Sequence, residues 1–220
     1  MDNLVKIYNN TLPSEFCKFI INKFETSDDL IEGMSGGTIM KHVKDSKDLM
    51  ICSKLEDPEW KYIYEYLMEN LLGNYIEYLR QNPFCFMNAT FRSEASLVRT
   101  ASSWFSSANN GVPHIQMQRY IGDQGYYLWH FENEGGFTAR RDLFFIYYLN
   151  DVKGGSTEFK FNPQGIEPKE GTLLIAPAYW THMHKGNPPQ NDQFKYILTG
   201  WIERDPTIRI DQEFEEDFYI

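Results

Sequence analysis

The sequence predicts an α+β fold in which N-terminal helices pack on the outside of an antiparallel β-barrel. Three observations support this prediction. The first half of the chain has two apolar stripes at helical spacing, the second half has short apolar runs separated by turn residues, and no linker rich in Pro, Gly or Ser divides them. A length of 220 residues is typical of one domain. We therefore expect a single domain over residues 1–220, with a helical lead-in and irregular insert (1–111), a β-barrel core (112–203) and an acidic tail (204–220).

Two helices are predicted in the lead-in, after a short strand at residues 4–8. The first begins near Pro13 and continues with apolar residues at helical spacing up to Phe24. The second has Asp57 as a capping residue and Pro58 in its first turn. Its apolar stripe contains Trp60, Ile63, Tyr64, Leu67, Leu71, Tyr75 and Leu79. Residues 82–111 are rich in Ser, Asn and Ala, and we expect them to form an irregular insert.

Seven short strands are predicted in the second half of the chain. They cover residues 112–121, 126–131, 143–149, 156–161, 172–176, 179–184 and 195–202. So many short strands with turns between them indicate an antiparallel sandwich or barrel. The apolar stripes of the two helices need a partner, so we expect both helices to pack on the outside of this barrel.

The composition excludes several classes of protein. Hydrophobic residues make up 42% of the chain and aromatic residues 16%, which is enough for one substantial core and argues against disorder. The formal net charge of -10 argues against broad binding to nucleic acid or to an anionic membrane. No apolar run is long enough to span a membrane, and the first residues lack the pattern of a secretion signal. With only three cysteines, we expect a reduced, cytoplasmic protein without a disulfide framework.

Four side chains in the predicted barrel offer the ligand chemistry of a metal site. His130 and Glu132 lie two residues apart at the end of a predicted strand, so they point to the same face, although such a pair alone is expected by chance. His182 and His184 also alternate within one predicted strand. Two histidines and one carboxylate form the facial triad that binds Fe(II) and leaves coordination positions free.

A second group of side chains favours a pocket for a small carboxylate. Strand alternation puts Lys195, Thr199 and Trp201 on one face of the last predicted strand. A buried lysine needs an anionic partner, because the interior does not solvate its charge. The same lysine on an exposed face would be an ordinary surface residue, and the residues of this strand leave that alternative open.

Together these motifs resemble the prolyl 4-hydroxylase-like branch of the Fe(II)/2-oxoglutarate-dependent dioxygenases, over about residues 116–203. The first block of matching residues is His130-x-Glu132, Arg141, Tyr147 to Val152 and Gly154 to Phe159, and the second is Pro168 to Leu174, His184 to Pro188 and Lys195 to Trp201. The second half is also similar to small phage-type oxygenases. The resemblance implies a double-stranded β-helix, which is a jelly-roll or cupin-like barrel.

For the metal, the resemblance implies His130, Glu132 and His184 as the ligands of Fe(II). His184 is preferred to His182 because Pro188 follows it at the spacing of the family, and His182 would then orient a ligand. The family normally has Asp where this chain has Glu132, which is one methylene longer. Glu134 is the alternative ligand, although it lies beyond the strand in a Gly-Gly turn.

For the co-substrate, the resemblance implies a 2-oxoglutarate pocket beside the metal. Lys195 would hold the distal carboxylate, and the other pocket residues would be Tyr120, Thr199, Tyr148 and Trp201. Arg141 and Gln118 are the residues expected to contact the substrate. The segment 102–110 is placed like a loop that covers the substrate.

The implied activity is hydroxylation of a C–H bond, most often of a peptidyl proline, with 2-oxoglutarate converted to succinate and CO2. The implied requirements are Fe(II), 2-oxoglutarate and O2, with ascorbate as a reductant, and the expected partner is a peptide or protein. One alternative keeps the chemistry but acts on a free amino acid, a small metabolite or a nucleobase. Another is a non-catalytic barrel that binds a metal or ligand without turnover. We expect the enzyme in the cytoplasm, which would be the host cytoplasm for a viral protein.

Overall fold

The computed structural model describes residues 4–82, 94–107 and 113–203. Within these residues, three α-helices accompany two antiparallel sheets. The helices are α1 (Ser14–Glu25), α2 (Pro58–Gln81) and α3 (Glu94–Ser107). The strands are β1 (Lys6–Tyr8), β2 (Ile31–Glu32), β3 (Lys47–Met50), β4 (Ile115–Ile121), β5 (Tyr126–His130), β6 (Arg141–Tyr148), β7 (Thr157–Phe159), β8 (Asn162–Ile166), β9 (Thr172–Pro177), β10 (His184–Gly186) and β11 (Phe194–Glu203).

The two sheets face each other as the halves of a double-stranded β-helix, which confirms the predicted barrel. The larger sheet has the strand order β1-β9-β6-β11-β4-β3-β2, and the smaller sheet has the order β5-β10-β7-β8. The ring of Phe144 in the larger sheet lies 6.3 Å from the ring of Phe159 in the smaller one. An aromatic pair thus joins the two sheets in the interior of the barrel.

Side-chain alternation gives the larger sheet two different faces. On β6, Phe145 and Tyr147 point outward and pack with the helices, whereas Phe144, Ile146 and Tyr148 point inward. The outward face is continuous with the main apolar core, which contains residues of α1, α2 and α3. The inward face carries a smaller apolar cluster. Polar residues of β4 and β11 line a cavity on the same face.

The first two helices form as the sequence predicts. The Asp57 carboxylate accepts hydrogen bonds from the backbone N–H groups of Glu59 and Trp60, and Pro58 occupies the first turn of α2. Every residue of the predicted stripe of α2 is buried. The helices thus cover the outward face of the larger sheet, as expected from their unpartnered stripes.

The prediction of an irregular insert over residues 82–111 is wrong for residues 94–107, which form α3. Leu97 and Ala101 are one helical turn apart and are buried in the core that α2 also lines. The many serines suggested a loop, but this apolar pair is enough to fix a helix by tertiary packing. Residues 83–93 and 108–112 lie outside the described residues, as does the predicted covering loop from residue 108 onward.

The strand predicted over residues 179–184 is also wrong. Residues Trp180–His182 form a short 3-10 turn, and β10 begins only at His184. β9 belongs to the larger sheet and β10 to the smaller one, so the chain has to turn between them. His182 therefore does not share a strand face with His184.

Three short strands were not predicted. β2 and β3 extend the edge of the larger sheet, and β8 pairs with β7 in the smaller one. Their sequences are rich in charged, Asn, Pro and Gly residues, so they lack the apolar alternation of a half-buried strand. No helix in the described part of the chain has the length and hydropathy needed to cross a membrane.

Candidate metal centre

The sheet pairing brings His130, Glu132 and His184 together. His130 is the last residue of β5 and lies opposite His184, the first residue of β10. Glu132 follows β5, and its backbone N–H donates to the carbonyl of Ala178 at 2.9 Å. The Oε1 atom of Glu132 is 3.6 Å from Nε2 of His130 and 3.5 Å from Nε2 of His184. Ligand atoms of the three residues lie within 4.8 Å of one another.

Hydrogen bonds orient both imidazoles. Nδ1 of His130 is 2.9 Å from the carbonyl of Leu128, and Nδ1 of His184 is 3.1 Å from the carbonyl of His182. A carbonyl oxygen only accepts, so each Nδ1 carries a proton, and Nε2 is the ring nitrogen that each histidine presents to the site. Both Nε2 atoms face the Glu132 carboxylate, so the three groups converge on one space, as metal binding requires.

The protonation of the cluster suits a cation. Burial acts to raise the pKa of Glu132, but hydrogen bonds and charge from His130 and His184 lower it, and the net pKa is well below the usual range. Burial, and then the neighbouring His130, lowers the pKa of His184. An ionised carboxylate and a neutral imidazole are the forms that coordinate metals. The three side chains therefore fit Fe(II), for which two histidines and one carboxylate are the typical ligand set.

The alternative ligand Glu134 and the remaining histidines lie apart from this cluster. Glu134 is exposed and lines the nearby cavity, but it does not belong to the group of three. His42 and His114 are exposed and do not line the cavity. His182 is buried, and its contribution to the cluster runs through its main-chain carbonyl, which accepts the hydrogen bond from His184. That contact uses the backbone of His182, so the orienting role of its side chain stays a prediction.

A cavity of about 450 Å³ lies between the two sheets, with the three candidate ligands in its wall. Lys195 also lines it and is only 3% exposed. The Lys195 ammonium lies 5.5 Å from the centre of the Tyr120 ring, and among the described residues no carboxylate reaches it within ion-pair distance. Burial lowers the pKa of Lys195 to about 8. A buried cation without a partner favours an anionic ligand.

Glycines leave room beside this lysine. Gly155 has a φ of +69°, and a Cβ there would lie 3.1 Å from Cδ of Lys195. A Cβ at Gly186 would lie 3.8 Å from the Lys195 ammonium nitrogen. The space and the charge together fit a carboxylate of 2-oxoglutarate, so the residues present suit both the metal and the co-substrate.

Five of the other predicted site residues line the cavity. They are Tyr120, Gln118, Thr199, Trp201 and Arg141. The hydroxyl of Tyr120 donates to Oε1 of Gln118 at 2.6 Å, and the hydroxyl of Thr199 donates to the carbonyl of Phe145 at 2.9 Å.

Tyr148 differs from the predicted direct contact with the co-substrate. Its buried hydroxyl donates to Oγ1 of Thr157 at 2.7 Å, and Thr157 rather than Tyr148 lines the cavity. Tyr148 is thus on the inner face of β6, where its hydroxyl contacts Thr157 of β7 and does not line the cavity.

Trp201 and Arg141 lie against the metal carboxylate. The indole Nε1 of Trp201 donates to Oε2 of Glu132 at 2.7 Å. The guanidinium carbon of Arg141 is 3.5 Å from the centre of the Trp201 ring, and Nη1 of Arg141 donates to the carbonyl of Glu132 at 3.3 Å. The sequence placed these two residues at a pocket wall and at the substrate, and it did not indicate this contact with Glu132.

Sequence reasoning missed Lys44 and Gln116, which line the cavity beside the predicted Gln118 and form a polar wall with it. The Lys44 ammonium donates to Oδ2 of the buried Asp48 at 2.6 Å, and the Gln116 amide donates to the same oxygen at 2.9 Å. The Gln118 amide in turn donates to Oε1 of Gln116 at 2.9 Å. Gln116 and Gln118 share the strand parity of Tyr120, which was a usable signal, whereas nothing in the sequence around Lys44 pointed to a buried lysine.

Comparisons with known proteins agree with this site. Residues 115–203 match the family model of the 2OG-Fe(II) oxygenase superfamily. No curated protein matches the chain. Several solved structures share the fold at low sequence identity, and they include prolyl hydroxylases from a virus, a bacterium and an animal.

The viral structure is a collagen prolyl hydroxylase from Paramecium bursaria chlorella virus-1 in complex with 2OG, with 18% identity, a TM-score of 0.58 and coverage of 92% of this chain and 97% of that chain. A Pseudomonas putida prolyl-4-hydroxylase has 16% identity, a TM-score of 0.59 and coverage of 91% and 93%. A Trichoplax adhaerens prolyl hydroxylase, in complex with a peptide of the hypoxia inducible factor oxygen degradation domain, has 18% identity, a TM-score of 0.60 and coverage of 92% and 84%.

Residues 115–203 match the 2OG-Fe(II) oxygenase superfamily, and the chain shares the fold of prolyl hydroxylases. Together with the metal site, these findings support a 2-oxoglutarate-dependent dioxygenase. Its cofactor is Fe(II), and its co-substrates are 2-oxoglutarate and O2. The alternative of a non-catalytic barrel gains no support, because Glu132 lies with the two histidines, where it can serve as a ligand.

Proposed function

We propose that this dioxygenase hydroxylates a C–H bond of a peptidyl proline. The observation that carries the proposal is the position of His130, Glu132 and His184 in the wall of a cavity that also holds the buried ammonium of Lys195. The fold of prolyl hydroxylases, one of them in complex with a peptide, supports the choice of a peptide. Succinate and CO2 would be the other products.

The chain contributes ligands, charge and shape. Nε2 of His130, Nε2 of His184 and a carboxylate oxygen of Glu132 would hold Fe(II), and the Lys195 ammonium would hold a carboxylate of 2-oxoglutarate. Bound together, Fe(II) and 2-oxoglutarate supply the O2-dependent oxidation of the C–H bond. Ile146 and Ile197 also line the cavity and make part of its wall apolar, which limits access of water.

The mouth of the cavity suits a polypeptide. Two loops border it, one at Met34 to Gly37 and the other at Glu134 to Thr138. Phe137 is 98% exposed and Met34 is 42% exposed, so both present apolar surface beside the opening. Exposed apolar side chains at the rim of a polar cavity are typical of a surface that binds another chain.

The test is substrate-dependent turnover. The enzyme is incubated with Fe(II), 2-oxoglutarate, ascorbate and O2 together with proline-containing peptides, and succinate and the mass of the peptide are measured. We expect succinate release to rise with peptide, and the peptide to gain one oxygen atom on proline. His184→Ala should abolish both signals, whereas His114→Ala, which changes an exposed histidine outside the cavity, should leave them intact.

A second candidate function is the same chemistry on a free amino acid or another small polar metabolite. The polar wall favours it, because Lys44, Gln116 and Gln118 line the cavity with hydrogen-bonding groups rather than apolar side chains. Small polar ligands are selected by such converging groups. Succinate release that depends on free amino acids, with no oxygen gained by any peptide, would select this candidate and overturn the first.

A further inference from the structure

We infer that Trp201 and Arg141 are positioning residues that fix the Glu132 carboxylate in the orientation needed for metal binding. This inference rests on the metal centre and is independent of which substrate is hydroxylated. The two oxygens of Glu132 have separate surroundings. Oε1 faces the two histidine Nε2 atoms at 3.5 and 3.6 Å, whereas Oε2 accepts the indole hydrogen bond at 2.7 Å.

The indole hydrogen bond leaves one oxygen for the metal. A hydrogen bond to an ionised acceptor is shorter and stronger than one between neutral groups, and 2.7 Å is at the short end for nitrogen and oxygen. Because Oε2 is engaged by Trp201, Oε1 is the oxygen that shares a space with the histidines. The structure thus favours a carboxylate that binds the metal through one oxygen.

Arg141 holds the indole and the backbone of Glu132 in place. Its guanidinium stacks on the Trp201 ring, with 3.5 Å between the guanidinium carbon and the ring centre. The same side chain donates to the Glu132 carbonyl, and its Nη1 lies 3.6 Å from Oε2. Trp201 itself is on β11, where it pairs with Phe144 of β6 directly after the pairing of β11 with β4 ends at Gly200, so the sheet holds the backbone of the donor.

The length of glutamate matters for this arrangement. Its carboxylate spans the space between the two histidines and the indole, and Glu132 is anchored at its backbone by the hydrogen bond to Ala178. An aspartate at this position would be shorter by one carbon–carbon bond of about 1.5 Å. With the backbone held, it could not keep contact with both the histidines and Trp201.

The test measures metal binding without turnover. Co(II) is titrated into the protein in the absence of 2-oxoglutarate, with calorimetry for the dissociation constant and visible absorption for the coordination of the ion. We expect Trp201→Phe, which keeps the ring and removes the N–H, to weaken Co(II) binding by about 10- to 100-fold and to change the spectrum. Trp180→Phe is the matched control, because Trp180 is 63% exposed and does not line the cavity.

A second variant keeps the test valid if Trp201→Phe folds poorly. Glu132→Asp leaves Trp201 in place, and we expect it to weaken Co(II) binding too. The double variant should bind Co(II) as Glu132→Asp does, because the indole contact is already lost. Wild-type affinity and spectrum in a folded Trp201→Phe protein, or wild-type affinity in Glu132→Asp, would overturn the inference. Arg141→Met should give a smaller loss in the same direction as Trp201→Phe.

Discussion

At the scale of single residues, Lys195 is a buried cation, and among the described residues no carboxylate lies within ion-pair distance of it. It is buried, its ammonium faces a cavity, and burial lowers its pKa to about 8. Below that pH the free protein carries the cation, and above it the amine is neutral. An anionic ligand favours the charged form, so ligand binding must bring a proton with it above pH 8.

This predicts the pH dependence of 2-oxoglutarate binding. Between pH 7 and pH 9 the dissociation constant should increase about tenfold, because the fraction of charged Lys195 falls by that factor. The measurement is calorimetric titration of 2-oxoglutarate in the presence of Mn(II) and without substrate.

Two variants test whether Lys195 causes the effect. Lys195→Arg should bind with little change over the same pH range, since guanidinium does not titrate there. Lys61→Met removes a lysine charge at an exposed position of α2 and should behave as the wild type. A pH dependence that persists unchanged in Lys195→Arg would assign the effect to another group.

The residue scale also shows the limits of the sequence. The positions of His130, Glu132 and His184 were predictable, because alternation paired His130 with Glu132 and the spacing of the family motif selected His184. The contact between Trp201 and Glu132 was not, because it joins residues 69 positions apart, one on β11 and the other in the loop after β5. Lys44 was not predicted either, since its partner Asp48 becomes buried only when β3 joins the sheet.

At the scale of secondary-structure elements, α2 supports the sheet that carries the cavity. Its stripe was predictable because helical periodicity over 24 residues is a strong local signal. The short elements were less predictable. α3 is rich in Ser, which favoured the prediction of a loop. The 3-10 turn before His184 is set by the crossing from one sheet to the other, which is a property of the tertiary fold.

A substitution in α2 measures how much the packing of this helix contributes to the free energy of unfolding. Leu71 is fully buried in the main core, so Leu71→Ala should lower the free energy of unfolding by about 2–5 kcal/mol through lost burial and a cavity. Urea unfolding followed by circular dichroism gives the value. Glu69→Ala lies on the exposed side of the same helix and should change the free energy by less than about 0.5 kcal/mol. Equal effects of the two variants would contradict the packing described for α2.

At the scale of the whole molecule, the two faces of the larger sheet have different roles. Its outward face is apolar and packs on the helices, whereas its inward face is partly polar and lines the cavity. The smaller sheet brings both histidines to the opposite wall. The metal site therefore depends on how the two sheets pack against each other. The sequence pattern could predict the strands but not this packing.

The most direct test of the metal and co-substrate site is anaerobic addition of Fe(II) and then 2-oxoglutarate, followed by visible absorption. The chelate of the two should give a charge-transfer band in the wild type. The band should be lost in His184→Ala and kept in His114→Ala, because only the first histidine belongs to the cluster. Absence of the band in the folded wild type, or its persistence in His184→Ala, would contradict the account.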